Sequence, residues 1–340
     1  MTTSQSSPPT IRDVARLAGV SVATISRYLN NPAVVSSETG RRVQEAMQTL
    51  KYVPNSAARN LANRKTNTLG LLLTDIRSDF FTPMLRGIEG VTNEENYRLL
   101  ISTVGTRLNP FTLPLGPENT DGMIIFLDVL TEQQVRQLYE MQYPMVIIYQ
   151  TPPAELHIPL ITIENKKASN KLISHLIEVH QRRNIVYLQG PAHNEDSIWR
   201  EAGYKQALAD HGITSRPEFV AYGGFDRNQG YTTTRQLLAT YPEVDAIYSG
   251  DDETAIGVLK ALHDMGKRVP QDVSVVGFDD QILSPFLSPP LTTIHAPTEE
   301  IGVEATRKLI QLIRTGTADP VTLLPTEIVI RQSCGCNTQE

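Results

Sequence analysis

A chain of 340 residues, 40% hydrophobic and 20% charged, is too long for one ordinary core, so two or three packed units are expected. No apolar run approaches the roughly 20 residues of a membrane span, and MTTSQSSPPT has neither the basic start nor the apolar stretch of a secretory leader. The formal net charge of −6 hides an asymmetry: residues 1–65 hold nine Lys/Arg against three Asp/Glu, while the remainder holds 22 against 34. A basic head on an acidic body suggests that only the head meets a polyanion; chance surface bias is the plain alternative.

The first predicted elements lie in TIRDVARLAGVSVATISRYLNN, residues 10–31. Thr10 can cap a helix, with Asp13 three residues on as in a capping box. Ile11, Val14, Ala15 and Ala18 recur at helical spacing, and Gly19 suits the tight turn that ends the helix. Ser21 can cap a second helix with Ile25 and Leu29 inward, stopped by Asn30-Asn31-Pro32. Two short helices joined by a glycine turn make a helix-turn-helix, whose second helix would enter a DNA major groove. A generic helical hairpin is the alternative. On the outward face, Ser21 and Thr24 can reach phosphates, Val22 and Ala23 can meet a thymine methyl, and Arg27 can make a bidentate contact to guanine. Residues 36–39 open a third helix with Val43, Ala46, Met47 and Leu50 buried, completing a bundle too small to be very stable alone.

Next comes YVPNSAARNLANRKTNTLGLLL. Asn55 can cap a helix of about two turns, too short to persist unaided. The helix-turn-helix, followed by Tyr52-Val53-Pro54-Asn55, then Ala57, Ala58, Arg59 and Leu61, then Thr68-Leu69-Gly70-Leu71, resembles the lactose/galactose repressor (LacI/GalR) family of bacterial transcription regulators. The resemblance implies a hinge helix that pairs with its twin in the minor groove. The residue at Leu61 wedges between the central bases and that at Ala58 lies on the groove floor; such apolar wedges kink a duplex. An ordinary linker helix is the bland reading. The DNA-contacting set implied is Thr10, Ser21, Val22, Ala23, Thr24, Arg27, Asn30, Tyr52, Asn55, Ala58 and Leu61.

From Leu69 onward, short apolar runs alternate with helical patterns. Strands are expected at 69–75, 98–103, 122–127, 145–150, 185–190, 218–222, 245–249 and 273–278. Helices are expected at 83–96, 131–141, 166–180, 197–211, 226–240 and 253–265. Alternating β and α units imply parallel sheets covered on both faces, too many for one sheet, hence two doubly wound subdomains with a ligand cleft between them. This α/β pattern matches the family's periplasmic-binding-protein-like regulatory domain. Its landmarks are SIWREAGYKQAL (197–208), DAIYSGDDETAIGVLKAL (245–262), RVPQDVSVVGFDD (268–280) and PPLTTIHAP (289–297). The organisation expected is a reader at 8–53, a hinge and linker at 54–66, an effector-binding and dimerisation domain at 67–333, and a tail at 334–340.

Cleft residues follow from the landmarks. Arg200 can grip a hydroxyl pair or a carboxylate, and Asp279, after a strand end, can accept from sugar hydroxyls. Phe225 stands where the family places an aromatic that stacks on the ligand. Asp251 stands where many members have Asn, and Phe80 and Phe81 fit the cleft wall. The bland alternatives are a strand-end Asp that only caps the next helix and a Phe81 buried in the core. These groups suit a sugar or sugar acid, and equally a purine or nucleoside.

The sequence departs from the family pattern in several places. Residues 108–119 hold three prolines where members carry a helix. Gly40 replaces a common Arg, with loss of one phosphate contact expected. An extra residue near HQRRNIVYL disturbs the local register, and Glu164-Asn165 replaces Asp-Asn. Cys334 and Cys336 are the only cysteines; they exclude a disulfide framework and fit a reducing cytoplasm. With no His near them in sequence they read as a plain reduced tail, and neither metal nor cofactor is expected. No leucine heptads follow residue 331, so no tetramerising coiled coil is expected.

The expected function is a cytoplasmic, nucleoid-associated regulator, a repressor that binds a pseudo-palindromic double-stranded operator as a homodimer under control of a small-molecule effector, away from any membrane. A periplasmic-type sugar-binding protein without DNA work is the alternative, opposed by the basic head. An enzyme is not expected, since GxGxxG after the first strand, the P-loop and GxSxG are all missing.

Overall fold

Three helices open the chain in the computed structural model, which describes residues 9–53, 65–74, 76, 78–104, 113–126 and 129–337. The chain divides into two units, Met1–Thr66 and Asn67–Glu340. Among the described residues no helix is long and apolar enough to cross a membrane.

In the first unit, α1 (Ile11–Ala18), α2 (Val22–Asn30) and α3 (Ser37–Thr49) enclose Val14, Ile25 and Val43, each fully buried. Asp13 accepts from both the backbone N–H (3.0 Å) and the hydroxyl (2.7 Å) of Thr10, which satisfies an otherwise orphaned donor at the helix start. Gly19 ends α1 at φ 66°, a conformation that costs a residue with a Cβ about 1 kcal/mol or more. The Arg42 guanidinium of α3 caps the same end by donating to the carbonyls of Ala18 and Gly19. Gly40 is buried with the Tyr28 ring 3.1 Å from where a Cβ would stand, so its packing role is filled by an aromatic contact.

The second unit contains two parallel sheets and an antiparallel ribbon. The six-stranded sheet runs β11-β5-β4-β3-β1-β2, from β1 (Thr68–Leu73), β2 (Arg98–Thr103), β3 (Gly122–Phe126), β4 (Met145–Ile148), β5 (Leu160–Ile163) and β11 (Val321–Leu324). Leu69, Leu71 and Leu73 face α4 (Phe81–Glu94) and α10 (Thr298–Thr315), while Leu72 faces the side holding Val135 and Leu138 of α5 (Glu132–Glu140). Burial on both faces makes β1 a continuous apolar run, each Leu contributing roughly 1.5–3 kcal/mol. The four-stranded sheet runs β7-β6-β8-β9, from β6 (Ile185–Gln189), β7 (Val220–Tyr222), β8 (Ala246–Ser249) and β9 (Ser274–Val276). Tyr187 and Tyr248 share one face with Leu172 and Leu176 of α6 (Asn165–His180) and Tyr204 of α7 (Glu195–Asp210). Val186, Leu188 and Ile247 face α8 (Arg227–Thr240) and α9 (Asp252–Asp264).

Several expectations are corrected. The strands β5, β11, β10 (Thr293–His295) and β12 (Glu327–Val329), and the helix α10, are additions; β10 and β12 pair antiparallel where only parallel sheets were expected. Residues 113–121 hold turns and no helix, pinned by Asn119 Oδ1, which accepts from Gly116 N at 3.0 Å, and by buried Leu115. Gln181 closes α6 in the left-handed conformation (φ 54°), and β6 after it pairs regularly with β8 from Ile185 to Leu188. Residue 334 does not start a free tail. Val275 N donates to Ser333 O at 2.9 Å, Ser274 Oγ donates to Cys334 O at 2.8 Å, and Cys334 is fully buried in the core.

Candidate functional site

In the first unit the outward face of α2 begins at Ser21, whose Oγ accepts from Thr24 N at 3.1 Å. Ser21 and Thr24 hydroxyls also bond each other at 2.9 Å, which fixes the first turn. Val22, Ala23 and Arg27 are exposed on that turn and the next. Thr10 is exposed at the α1 cap, while Tyr52 is half-buried against the helical core. Of Asn30 only the backbone is described, as the last residue of α2; Asn55, Ala58 and Leu61 lie outside the described residues. The acidic groups of this unit are partly matched internally, Asp13 with Arg16 and Glu45 with Arg41, and Arg12, Arg27 and Lys51 stand exposed. The arrangement is a short apolar-and-hydroxyl tip backed by cations, the chemistry that meets a groove floor and flanking phosphates.

In the second unit the carboxyl ends of both parallel sheets open on one cleft of about 430 Å³, within the range of small-ligand sites. All six residues singled out from the sequence line it: Phe80, Phe81, Arg200, Phe225, Asp251 and Asp279. Phe80, Phe81 and Phe126 form one wall, with ring centroids 5.1–6.0 Å apart in edge-to-face contacts. Phe225 follows β7 at φ 56° and faces them from the other sheet's side.

The polar floor is built around Arg200, which projects from α7. Its Nε donates to Asn165 Oδ1 (2.9 Å), Nη1 to Gly250 O (2.6 Å) and Nη2 to Asp279 Oδ1 (3.4 Å). The guanidinium lies 3.6 Å from the Phe278 ring centroid, a planar stack that fixes its tilt. Five N–H donors with three bonds made leave two for a ligand. Asp279 follows β9 at φ 109°, a strained conformation for a residue with a side chain, held because its N–H donates to Ile294 O at 2.8 Å.

Three carboxyls share this one cation. Burial raises Asp196 and Asp251 to about 6, with Arg200 opposing in both cases. Burial raises Asp279 well above the ordinary carboxylate value, again against Arg200. Asp196 and Asp251 therefore change between proton donor and acceptor close to neutrality, and a ligand's hydroxyls can find either. Asp252 has another role. It accepts from Gln281 N (2.9 Å), Ser284 Oγ (2.5 Å) and Thr293 Oγ1 (2.7 Å), which fastens the loop after β9 to the start of α9.

Sequence reasoning missed Asn194, Asp196, Phe126 and Gln281 in the lining. Asp196 was findable: it stands four residues before Arg200, one helical turn away on the same face. Gln281 lines the cleft, and its buried Nε2 has no partner among the described residues, which marks a donor waiting for an acceptor.

Residues 10–55 match the family model described as bacterial regulatory proteins, lacI family, and residues 173–334 match the periplasmic binding protein-like domain. The ribose operon repressor of Halalkalibacterium halodurans is 33% identical over 328 residues, covering 95% of this chain and 96% of that protein. Catabolite control protein A of Priestia megaterium is 32% identical over 330 residues, covering 95% and 98%. Among solved structures, a lac repressor dimer bound to operator and the anti-inducer ONPF aligns with a TM-score of 0.81 at 26% identity, covering 96% of this chain and 99% of that one. A transcriptional regulator CelR–cellobiose complex aligns at 0.71 and 28% identity, with coverage of 96% and 99%.

Proposed function

Because the chain belongs to the lacI family of bacterial regulatory proteins, as a DNA-binding transcriptional regulator and not an enzyme, we propose that it is a repressor whose dimer holds a pseudo-palindromic operator and answers a sugar or sugar derivative in the cleft. The observation that carries the ligand half of this reading is the floor: one buried guanidinium with spare donors, flanked by Asp196, Asp251 and Asp279 and faced by aromatic rings. A sugar offers vicinal hydroxyls to such a floor and C–H faces to such walls. The relatives named for a ribose operon and for a cellobiose complex point to the same class.

In this reading Ser21, Val22, Ala23, Thr24 and Arg27 read the major groove, with Thr10, Asn30, Tyr52 and Asn55 at the backbone. Ala58 and Leu61 enter the minor groove. The reader spans 8–53, the hinge 54–66, and the sensor runs from 67 through at least residue 336, where the sequence alone suggested 333. Ligand acts by its different affinity for two arrangements of the subdomains, which order or release the hinge.

Selection from a random duplex pool tests the DNA half, and the selected site then serves in anisotropy titrations with ribose, cellobiose, other sugars and nucleosides. A twofold-symmetric consensus whose affinity shifts with one sugar is the expected result. A consensus shifted only by nucleosides refutes the sugar assignment, and the absence of any consensus refutes the repressor reading.

A further inference from the structure

The fold gathers four side chains that the sequence keeps far apart. The chain after β12 folds back on the four-stranded sheet, which lodges Cys334 in the core and leaves Cys336 half-buried beside the end of α6. Helix α6 delivers His175 from its last turns and His180 as its final residue. The two imidazoles stand edge to face, 5.1 Å between centroids. Cys336 Sγ lies 3.6 Å from His175 Nε2 and 3.3 Å from His180 Nε2. One donor atom from each of His175, His180, Cys334 and Cys336 lies within 4.8 Å of the other three.

Those spacings can be set against a metal polyhedron. With Zn–S of about 2.3 Å and Zn–N of about 2.0 Å, a tetrahedron has donor–donor edges of roughly 3.3–3.8 Å. The Cys336 contacts to both histidines fall on such edges, and the widest separation, within 4.8 Å, is about 1 Å longer and would have to contract on binding. A thiol that donates to one imidazole and accepts from the other would account for the Cys336 contacts, but not for Cys334 standing with them in the same four-donor cluster.

Two neighbouring features fit ligation. Gly335, between the cysteines, has φ 121°, and a Cβ there would stand 2.8 Å from His180 Nδ1, so the turn that brings both sulfurs to the histidines needs glycine. Thr292 Oγ1 lies 3.2 Å from Cys334 Sγ and 3.0 Å from Arg331 O, so its one proton can turn to a thiolate there, the kind of outer bond that orients such a ligand.

We propose that His175, His180, Cys334 and Cys336 bind one borderline-soft divalent ion of the zinc class in a closed tetrahedron that staples the C-terminal segment to α6. Two thiolates and two imidazoles select zinc over calcium or magnesium, and a full set of four protein donors makes the site structural. On binding, each thiol releases its proton to solvent. The staple fixes the far end of the helix whose first residue, Asn165, holds Arg200 and Asp196 under the cleft.

Tag-free full-length protein, reduced and stripped by chelator, is titrated anaerobically with Co²⁺ and then with Zn²⁺. The expected result is one equivalent of Co²⁺ with intense tetrahedral visible bands and thiolate charge-transfer absorption, bleached by Zn²⁺, and a Zn²⁺-dependent rise in Tm. Cys336→Ser and His180→Gln, checked for folding by circular dichroism, lose the charge-transfer signature or at least 100-fold in zinc affinity; Thr292→Val, which removes no ligand, loses about 10–100-fold. A folded wild-type protein that gives no tetrahedral cobalt spectrum overturns the proposal. So does an unchanged spectrum in Cys336→Ser, or a Cys334–Cys336 disulfide in freshly isolated protein that cobalt cannot enter after reduction.

Discussion

Replacing Arg200 by Met keeps an apolar stem over Phe278 and removes the charge. The loss can be worked from its partners. Asn165 Oδ1 and Gly250 O lose donors at 2.9 and 2.6 Å, and Asp279 loses the buried cation it pairs with. Breaking a buried ion pair by removing one partner costs about 3–5 kcal/mol, a large share of the roughly 5–15 kcal/mol of a typical domain. Much of this is the cost of ionised carboxyls left without a cation. Protonating Asp279 and Asp196 relieves it, leaving the two orphaned carbonyl-type acceptors at ~1–3 kcal/mol each. Urea denaturation of both proteins, at about pH 8 and about pH 5, therefore shows a destabilisation that shrinks as the solution is acidified. The variant also loses the effector response in anisotropy while it still binds DNA. A cost below about 1 kcal/mol near pH 8, or one that grows toward pH 5, refutes the view that Arg200 holds a set of carboxyls that need it.

Arg27→Ala relaxes sequence choice at one position in each half-site by ~1–3 kcal/mol, read as near-equal affinities for operators altered there; an unchanged preference removes Arg27 from the reading set. Arg42→Ala uncovers the α1 carbonyls of Ala18 and Gly19 and destabilises the helical unit by about 1 kcal/mol, seen as a lower unfolding midpoint for a tryptophan or NMR probe placed in that unit. The pH profile has a definite sign. Asp196 and Asp251 are raised by burial to about 6 and Asp252 to about 7, so the folded state holds protons that the unfolded chain has released. Their stabilisation is complete below about pH 4 and is lost as pH rises through about 6 to 7. Asp272 is lowered to about 2 by Arg268, so its contribution is lost only as pH falls from about 4 toward 2. Stability measured by denaturant titration thus peaks on the acid side of neutrality; a maximum above about pH 8 contradicts the carboxyl assignment.

The features that sequence reveals and those it hides differ by the distance over which their cause acts. Helices α1 to α3 are legible because their determinants are local: Thr10 and Asp13, Gly19, Ser21 and Ser36 act within one turn. Strands β1, β3 and β4 are legible because burial on both faces writes an unbroken apolar run. Helix α10 is legible too, with Glu299 and Glu300 at its start, Ile301, Ala305 and Leu309 along one face and Gly316 at its end, although the strand-by-strand reading stops short of it. The ribbon β10–β12 is not, since three residues in each strand are too few to show a period.

The cleft and the cysteine cluster extend the same distinction to function. Arg200 and Asp279 are visible as single polar residues at strand and helix ends, but their value lies in a set. Asp196, Asp251, Asp279 and Asn165 come from four segments, and it is their shared burial, opposed by the one guanidinium, that raises the carboxyls of the floor. The cysteines carry the point furthest. A Cys-Gly-Cys read in one dimension lacks partners, because His175 is 161 positions from Cys336. The partners arrive only when the chain, having crossed to the six-stranded sheet for β11, returns to the four-stranded one and ends against α6. The returning segment buries Ser333 and Cys334 fully and leaves Cys336 half-buried. Hydrogen bonds from Val275 N to Ser333 O and from Ser274 Oγ to Cys334 O dock the segment, and the proposed metal–thiolate bonds would extend that docking to Cys336 and the two imidazoles.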